Sequence, residues 1–123
     1  MRIILLVLVL AVAAAGCGFG PATNEEKISK TASTYLIALA DGDTAAACTQ
    51  LSDRARGGAC DQAMKERLAR LDPEVLKAAA ENSMDIDVDG NRASVGLSEP
   101  SGARFLLLKT NDEWRINSGY TLD

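Results

Sequence analysis

MDIDVDGNRASVGL, residues 84–97, alternates apolar and polar side chains with a period of two. This period is typical of β-strands that have one packed face and one face in water. Asp89-Gly90-Asn91, in the middle of the segment, is typical of a tight hairpin turn. The segment therefore predicts two antiparallel strands with a shared dry face, made of Met84, Ile86 and Val88 on the first strand and Ala93, Val95 and Leu97 on the second.

The residues after this hairpin predict two more strands. Residues 99–102 have the composition of a loop, and residues 103–109 are apolar on both faces, which is typical of a central strand. Residues 110–112 predict another turn, and the last strand contains Trp114 and Ile116. We therefore expect an antiparallel sheet of about four strands.

The residues before the hairpin carry helix signals. Thr23 and Glu26 form a capping box, and apolar residues then recur at the spacing of one helical face until Gly42. Asp43 has the chemistry of a helix cap. It predicts a second, shorter helix that extends to Leu51.

Two further helices are predicted between that point and the hairpin. We expect a loop over 54–58, then a helix over about 60–71. Asp72 precedes a proline, which is a helix start signal, and this last short helix ends near Asn82. Helices followed by an antiparallel sheet predict one α+β domain, residues 25–123, with the helices packed on one sheet face. The helix over 60–71 is expected to bury Cys60, Met64, Leu68 and Leu71.

The N-terminal residues predict an export signal. Arg2 precedes the uninterrupted apolar run 3–15, and small residues lead to Cys17. A cysteine directly after the cleavage site matches the bacterial lipobox, in which the thiol carries a diacylglyceryl group. We therefore expect a signal peptide over 1–16, lipidation of Cys17, and a flexible tether over 17–24.

Two other interpretations of the N-terminus stay open. A permanent transmembrane helix needs about 20 apolar residues, and the run here is shorter. An ordinary secretory signal cut after Ala15 would leave Cys17 as a free thiol.

The number of cysteines favours lipidation. The chain has three, and lipidation of Cys17 leaves Cys48 and Cys60 as one pair. On neighbouring helices these two can form a structural disulfide, whereas a redox-active dithiol usually has a C-x-x-C spacing. Two acyl chains anchor a protein stably. We therefore expect the protein on the outer face of the bacterial cytoplasmic membrane or elsewhere in the cell envelope.

Composition argues against nucleic acid as a partner. The chain has 13 basic and 17 acidic residues, a net charge of −4 and no histidine. Contacts to phosphate backbones need clustered lysine and arginine. The missing histidine also excludes a histidine general base.

The remaining motifs predict no chemistry. Residues 85–90 look like the start of an EF-hand calcium loop, but Arg92 and Gly96 stand where that loop needs an apolar residue and a bidentate glutamate. Tyr35 and Asp41 are the one pair considered for catalysis, and six residues apart they point to different faces of a helix. We predict no catalytic residue, no metal and no cofactor.

Several short motifs occur over about residues 25–118: Tyr35-Leu36, Ala40-Asp41-Gly42-Asp43, Cys48 with Cys60, and Trp114-Arg115-Ile116. With the order of helices and strands, they resemble the nuclear-transport-factor-two-like (cystatin-like) superfamily. More narrowly, they resemble small actinobacterial lipoproteins that carry such a domain. The resemblance implies a curved antiparallel sheet around N-terminal helices and a cone-shaped interior. Possible wall residues of that interior are Tyr35, Leu39, Phe105 and Trp114.

We therefore expect a non-enzymatic, membrane-anchored lipoprotein that binds a small apolar ligand. The alternative is an accessory subunit that docks on a membrane transporter or a cell-envelope enzyme. An enzyme that uses the cone-shaped interior ranks third. An open apolar cavity would favour the ligand, and a filled interior with an exposed apolar patch would favour the protein partner.

Overall fold

Residues 23–99 and 102–122 are described by the structure, a computed structural model of the chain. The predicted signal peptide, the predicted lipidation site at Cys17 and nearly all of the predicted tether lie outside the described residues. The helices are α1 (Asn24–Ala40), α2 (Thr44–Thr49), α3 (Asp53–Arg56), α4 (Cys60–Leu68) and α5 (Pro73–Glu81), and the strands are β1 (Asp85–Asp89), β2 (Arg92–Gly96), β3 (Arg104–Thr110) and β4 (Glu113–Ser118).

Three helix starts that the sequence predicts are confirmed. The side-chain oxygens of Thr23, Asp43 and Asp72 accept hydrogen bonds from main-chain amides in the first turns of α1, α2 and α5, at 2.9–3.2 Å. Each bond satisfies an amide that has no partner within the helix. The local sequence is therefore sufficient to set these boundaries.

The predicted loop over 54–58 is wrong in part, because residues 53–56 form α3. Ser52 caps this helix, since its side-chain oxygen accepts a hydrogen bond from the amide of Ala55. Ser52 is itself held by β4: its amide donates to the carbonyl of Ile116 at 2.8 Å and its hydroxyl bonds Asn117 at 2.8 Å. A contact between residues more than 60 positions apart thus fixes a helix of one turn.

Two predicted helix ends lie too far along the chain. The second helix ends at Thr49, because Leu51 forms a parallel bridge with Ile116 at the edge of the sheet. The helix predicted over 60–71 ends at Leu68 and continues as a tight turn, in which the amides of Arg70 and Leu71 donate to the carbonyls of Arg67 and Leu68. Leu68 and Leu71 are therefore half-buried and not buried as expected.

The four strands form an antiparallel sheet in the order β1-β2-β3-β4. The hairpin register pairs Ile86 with Val95 and Val88 with Ala93, as the alternation predicts. β3 is an inner strand, as expected, and pairs with both β2 and β4. The α+β class, with an open antiparallel sheet and helices against one of its faces, is confirmed.

Cys48 and Cys60 form a disulfide that joins α2 to α4, with their Cα atoms 6.1 Å apart. Both cysteines are buried in the core that the helices make with the inner face of the sheet. The predicted pair is therefore confirmed. Within residues 23–99 and 102–122, no helix is long and apolar enough to cross a membrane.

Candidate functional site

The four residues expected to line an interior cavity are packed in the core. Tyr35, Leu39 and Phe105 have at most 1% of their surface exposed, and Trp114 has 2%. The rings of Tyr35 and Phe105 meet edge to face, with their centroids 5.5 Å apart, which is a favourable aromatic geometry. These side chains fill the space between α1 and the sheet in which we expected a cavity for an apolar ligand.

The hydroxyl of Tyr35 has a structural role in this core. It donates to the main-chain carbonyl of Tyr120 at 2.6 Å and lies 3.6 Å from the sulfur of Met64. Burial raises the pKa of the Tyr35 phenol well above its ordinary range, and the nearby guanidinium of Arg67 opposes that shift only in part. Asp41 is the exposed C-cap of α1, so the structure does not bring it together with Tyr35. Tyr35 is therefore a neutral donor that holds the C-terminal segment.

A groove of about 300 Å³ lies between α1 and β4, beside the edge of Trp114. The indole nitrogen of Trp114 and the ammonium of Lys109 both lie 3.4 Å from the side-chain oxygen of Asn24. The lining mixes charges of both signs with polar groups, so it does not select an apolar or a singly charged ligand. Its residues are Lys27, Lys30, Thr31, Thr34, Gln50, Asp112, Glu113, Trp114 and Arg115.

Within residues 23–99 and 102–122, all helices lie on one side of the sheet, and its outer face is left uncovered. Side chains alternate across each strand, so the residues between the buried positions point to this face. We call it the docking face. The register arranges it in four rows, which are Thr110-Glu113, Asp89-Arg92-Leu108-Arg115, Asp87-Ser94-Leu106-Ser118 and Asp85-Gly96-Arg104.

An exposed apolar side chain lies at the centre of the docking face. Leu106 is 49% exposed, and Leu108 beside it is half-buried. The sequence analysis used the apolar second face of β3 to place that strand inside the sheet, and missed that none of the described helices α1 to α5 lies over this face. The sequence did indicate this exposed face, because β3 has two apolar faces and the single predicted layer of helices can cover only one of them.

On the docking face, β1 carries acidic side chains, β2 and β3 carry arginines, and β4 carries Arg115 in an ion pair with Glu113 at 2.8 Å. The edge strand β1 contributes Asp85, Asp87 and Asp89, and within the described residues none of the three forms an ion pair. The guanidinium of Arg104 lies over Gly96, which leaves room for it, and donates to the hydroxyl of Ser94 at 2.8 Å. The face thus has an acidic edge and a basic, partly apolar centre.

Metal-binding groups do not assemble in the part of the chain that the structure describes. No group of three or more acidic or cysteine side chains there is arranged to hold a metal ion. The three aspartates of β1 point to solvent along a strand, which explains the EF-hand-like spacing of their sequence.

No family model, curated protein or solved structure matches this chain. The resemblance to the nuclear-transport-factor-two-like superfamily stays a prediction. The functional argument therefore depends on the residues of this chain alone.

Proposed function

We propose that this chain is a lipid-anchored protein of the bacterial cell envelope that performs no chemistry and binds a protein partner through its docking face. The observation that carries the docking role is the combination of a filled interior with an exposed Leu106 on an uncovered sheet. Contiguous apolar surface with a polar rim is typical of protein interaction sites, and Leu106 with the half-buried Leu108 beside it forms the apolar centre of this face. A partner at the membrane, such as a transporter or an envelope enzyme, fits the anchored location.

The anchor is supported by the pairing of the other cysteines. Because Cys48 and Cys60 are joined to each other, Cys17 is the one cysteine of the chain outside that disulfide. A diacylglyceryl group on Cys17 supplies two acyl chains, enough for stable attachment. α1 is capped at Thr23, six residues later, and six extended residues span about 20 Å. The anchor would thus hold the domain close to the bilayer surface.

A small apolar ligand is the second candidate function. A cleft of about 240 Å³ lies beside α5, with Leu71, Val75, Leu76 and Leu122 in its lining. Its apolar character favours this candidate, and its small volume limits the ligand to a short hydrocarbon group. It ranks second because the larger interior is filled by Tyr35, Phe105 and their neighbours.

Site-specific photo-cross-linking tests the docking function. A photoreactive amino acid replaces Leu106 in the full chain, which is expressed in a bacterium with its own signal peptide. Ile37 is the matched control, since it is 44% exposed and lies on α1, away from the docking face. We expect a covalent protein adduct, identified by mass spectrometry, from position 106 and not from position 37. Equal or absent adducts at both positions would exclude the docking face.

Native mass spectrometry of the protein purified from membranes tests the ligand function. A co-purifying small apolar molecule would favour the second candidate. Filling the cleft by Val75→Trp should then remove that molecule, whereas Leu106→Glu should leave it bound.

A further inference from the structure

We propose that the free edge of β1 binds an extended segment of a partner protein as an additional antiparallel strand, and that this segment alternates basic with apolar residues. The inference rests on the proposed protein-binding function and adds the chemistry of the partner. It follows from the main-chain groups of β1, from the partial cover over its apolar side chains and from its aspartates.

The two edges of the sheet differ in what lies beside them. Along β4, the segment before α3 closes the edge, because the amide of Ser52 donates to the carbonyl of Ile116 at 2.8 Å and the amide of Ile116 donates to that of Gln50 at 2.9 Å. Within residues 23–99 and 102–122, no main-chain group of β1 forms a hydrogen bond to a segment other than β2. β1 is therefore the edge at which the sheet can be extended.

The strand register identifies the main-chain groups that an added strand would meet. The amide of Lys109 on β3 donates to the carbonyl of Asn91 at 2.8 Å, so it is the odd-numbered residues of β2 that exchange hydrogen bonds with β3. The even-numbered residues of β2 bond to β1, where their register partners are the three aspartates. Because these directions alternate along a strand, the amides and carbonyls of Ile86 and Val88 point to the open edge.

The apolar face of β1 is only partly covered by the helices. Ile86 and Val88 are half-buried, whereas Val95 and Ala93, their register partners on β2, are buried. The cover over the inner face of the sheet thus becomes incomplete at β1. Apolar side chains of an added strand would lie beside Ile86 and Val88 on this inner side and shield them from water.

The opposite side of β1 selects the charge of the partner. Asp85, Asp87 and Asp89 are exposed, and within the described residues none of them forms an ion pair. Every second residue of an added strand would lie beside these carboxylates, and opposite charges on neighbouring strands attract. Pairing with β1 of a second copy would instead bring carboxylates together, so the aspartates disfavour self-association. The favoured occupant is therefore a basic and apolar segment of another protein.

Binding of a synthetic peptide tests this edge. The probe is Lys-Val-Lys-Val-Lys-Val-Lys, blocked at both ends and fluorescently labelled, and the protein is the full chain in an uncharged detergent. We expect saturable binding in fluorescence anisotropy, and weaker binding at high salt. Saturable binding that salt does not weaken would overturn the charge selection, and no binding would overturn the added strand.

Methylated forms of the peptide test the main-chain pairing. In an antiparallel pair, the valine amides of the peptide face β1 and the lysine amides face away from it. Methylation of the valine amides should therefore lower the affinity at least about tenfold, whereas methylation of the lysine amides should change it less than about twofold. Equal affinities of the two methylated peptides, which have the same charge and composition, would overturn the added strand.

Substitutions in β1 separate the main-chain contacts from the charges. Val88→Pro removes an amide that has no bond to β2, and should lower the peptide affinity about tenfold. Val88→Ala keeps that amide and is the matched control, with an expected loss of about twofold. Asp87→Asn should lower the affinity about threefold. Urea denaturation followed by the fluorescence of Trp114 checks that each variant is folded, and equal affinities of the two Val88 variants would overturn the main-chain pairing.

Amide hydrogen exchange, measured by NMR, locates the bound peptide. The amides of Ile86 and Val88 should exchange rapidly in the free protein and at least about tenfold more slowly with saturating peptide. The amide of Asp87, which bonds to β2, should exchange slowly in both samples. Protection that spares Ile86 and Val88 would overturn the proposal. Protection of these two amides without peptide, at rising protein concentration, would indicate pairing with a second copy and would also overturn it.

Photo-cross-linking at position 106 distinguishes this proposal from the docking function. A protein adduct from position 106 without peptide binding at β1 overturns the added strand and leaves the docking face in place. Peptide binding at β1 without an adduct from position 106 supports the added strand and overturns the docking face. Failure of both experiments overturns both proposals.

Discussion

Replacing Cys48 and Cys60 together by alanine should lower the free energy of unfolding by about 3 kcal/mol. The disulfide closes a loop with a sequence separation of 12. Loop closure restricts the unfolded chain, and for this length the chain-entropy model gives about 3 kcal/mol. Since domains of this size are stable by about 5–15 kcal/mol, the loss is a large share of the total.

Urea denaturation followed by the fluorescence of Trp114 measures this loss, because the indole is buried in the folded state. With a slope of about 1.5 kcal/mol/M, the midpoint should fall by about 2 M. The wild-type protein with its disulfide reduced is the matched control, since it keeps both sulfur atoms in the core. A fall of the urea midpoint by less than about 0.5 M in both samples would show that the disulfide contributes little to stability, and would refute this prediction.

Three further predictions follow from single contacts. Tyr35→Phe removes a buried hydrogen bond and should cost about 1 kcal/mol in urea denaturation, whereas an unchanged midpoint would contradict the role of its hydroxyl. Gly119→Ala should lower the free energy of unfolding by over about 2 kcal/mol, because the new Cβ would collide with a main-chain oxygen of β3. Gly90→Ala, which is also at positive φ but has open space around it, should lower it by only about 1 kcal/mol. Equal melting temperatures of the two variants would contradict this difference. The hydrogen bond from Thr44, with a smaller contribution from Lys65, lowers the pKa of Asp61. The ionised carboxylate therefore stabilises the fold at pH values above its unfolded pKa of about 3.9. This stabilisation is lost as the pH falls through the lowered pKa of the folded state. Asp61→Asn should therefore destabilise more at pH 7 than at pH 2. An NMR titration of Thr44→Val should show the pKa of Asp61 nearer its ordinary value, and an unchanged titration would contradict the assigned cause.

Features set by neighbouring residues were predictable from the sequence. The caps at Thr23, Asp43 and Asp72 are local hydrogen bonds, and the hairpin around Gly90 is fixed by its turn residues and by alternation. The cysteine pair followed from the odd number of cysteines. In each case the determining interaction lies within the segment or in the composition.

Features set by distant residues were not predictable in this way. α3 and the early end of α2 both depend on contacts of residues 50–52 with β4. The secondary-structure propensity of this segment does not predict these contacts. The strand pattern also places Leu106 on a second apolar face without showing whether helix, solvent or partner covers it.

The packing of the protein interior was also not predictable from the sequence. Tyr35, Leu39, Phe105 and Trp114 were expected to form the wall of an interior cavity, and they are buried in the core. A sequence does not report the volume that is left between packed side chains. The structure buries all four in one core, with the rings of Tyr35 and Phe105 in edge-to-face contact, and for this reason the proposed binding surface moves from the interior to the docking face.

Intact-mass measurement of the protein purified from bacterial membranes tests the central claim most directly. The account predicts a chain that begins at Cys17, carries the mass of a diacylglyceryl group, and has its two other cysteines oxidised to a disulfide. A chain that begins at any other residue, or a Cys17 that reacts as a free thiol, would contradict the lipid-anchored protein proposed here.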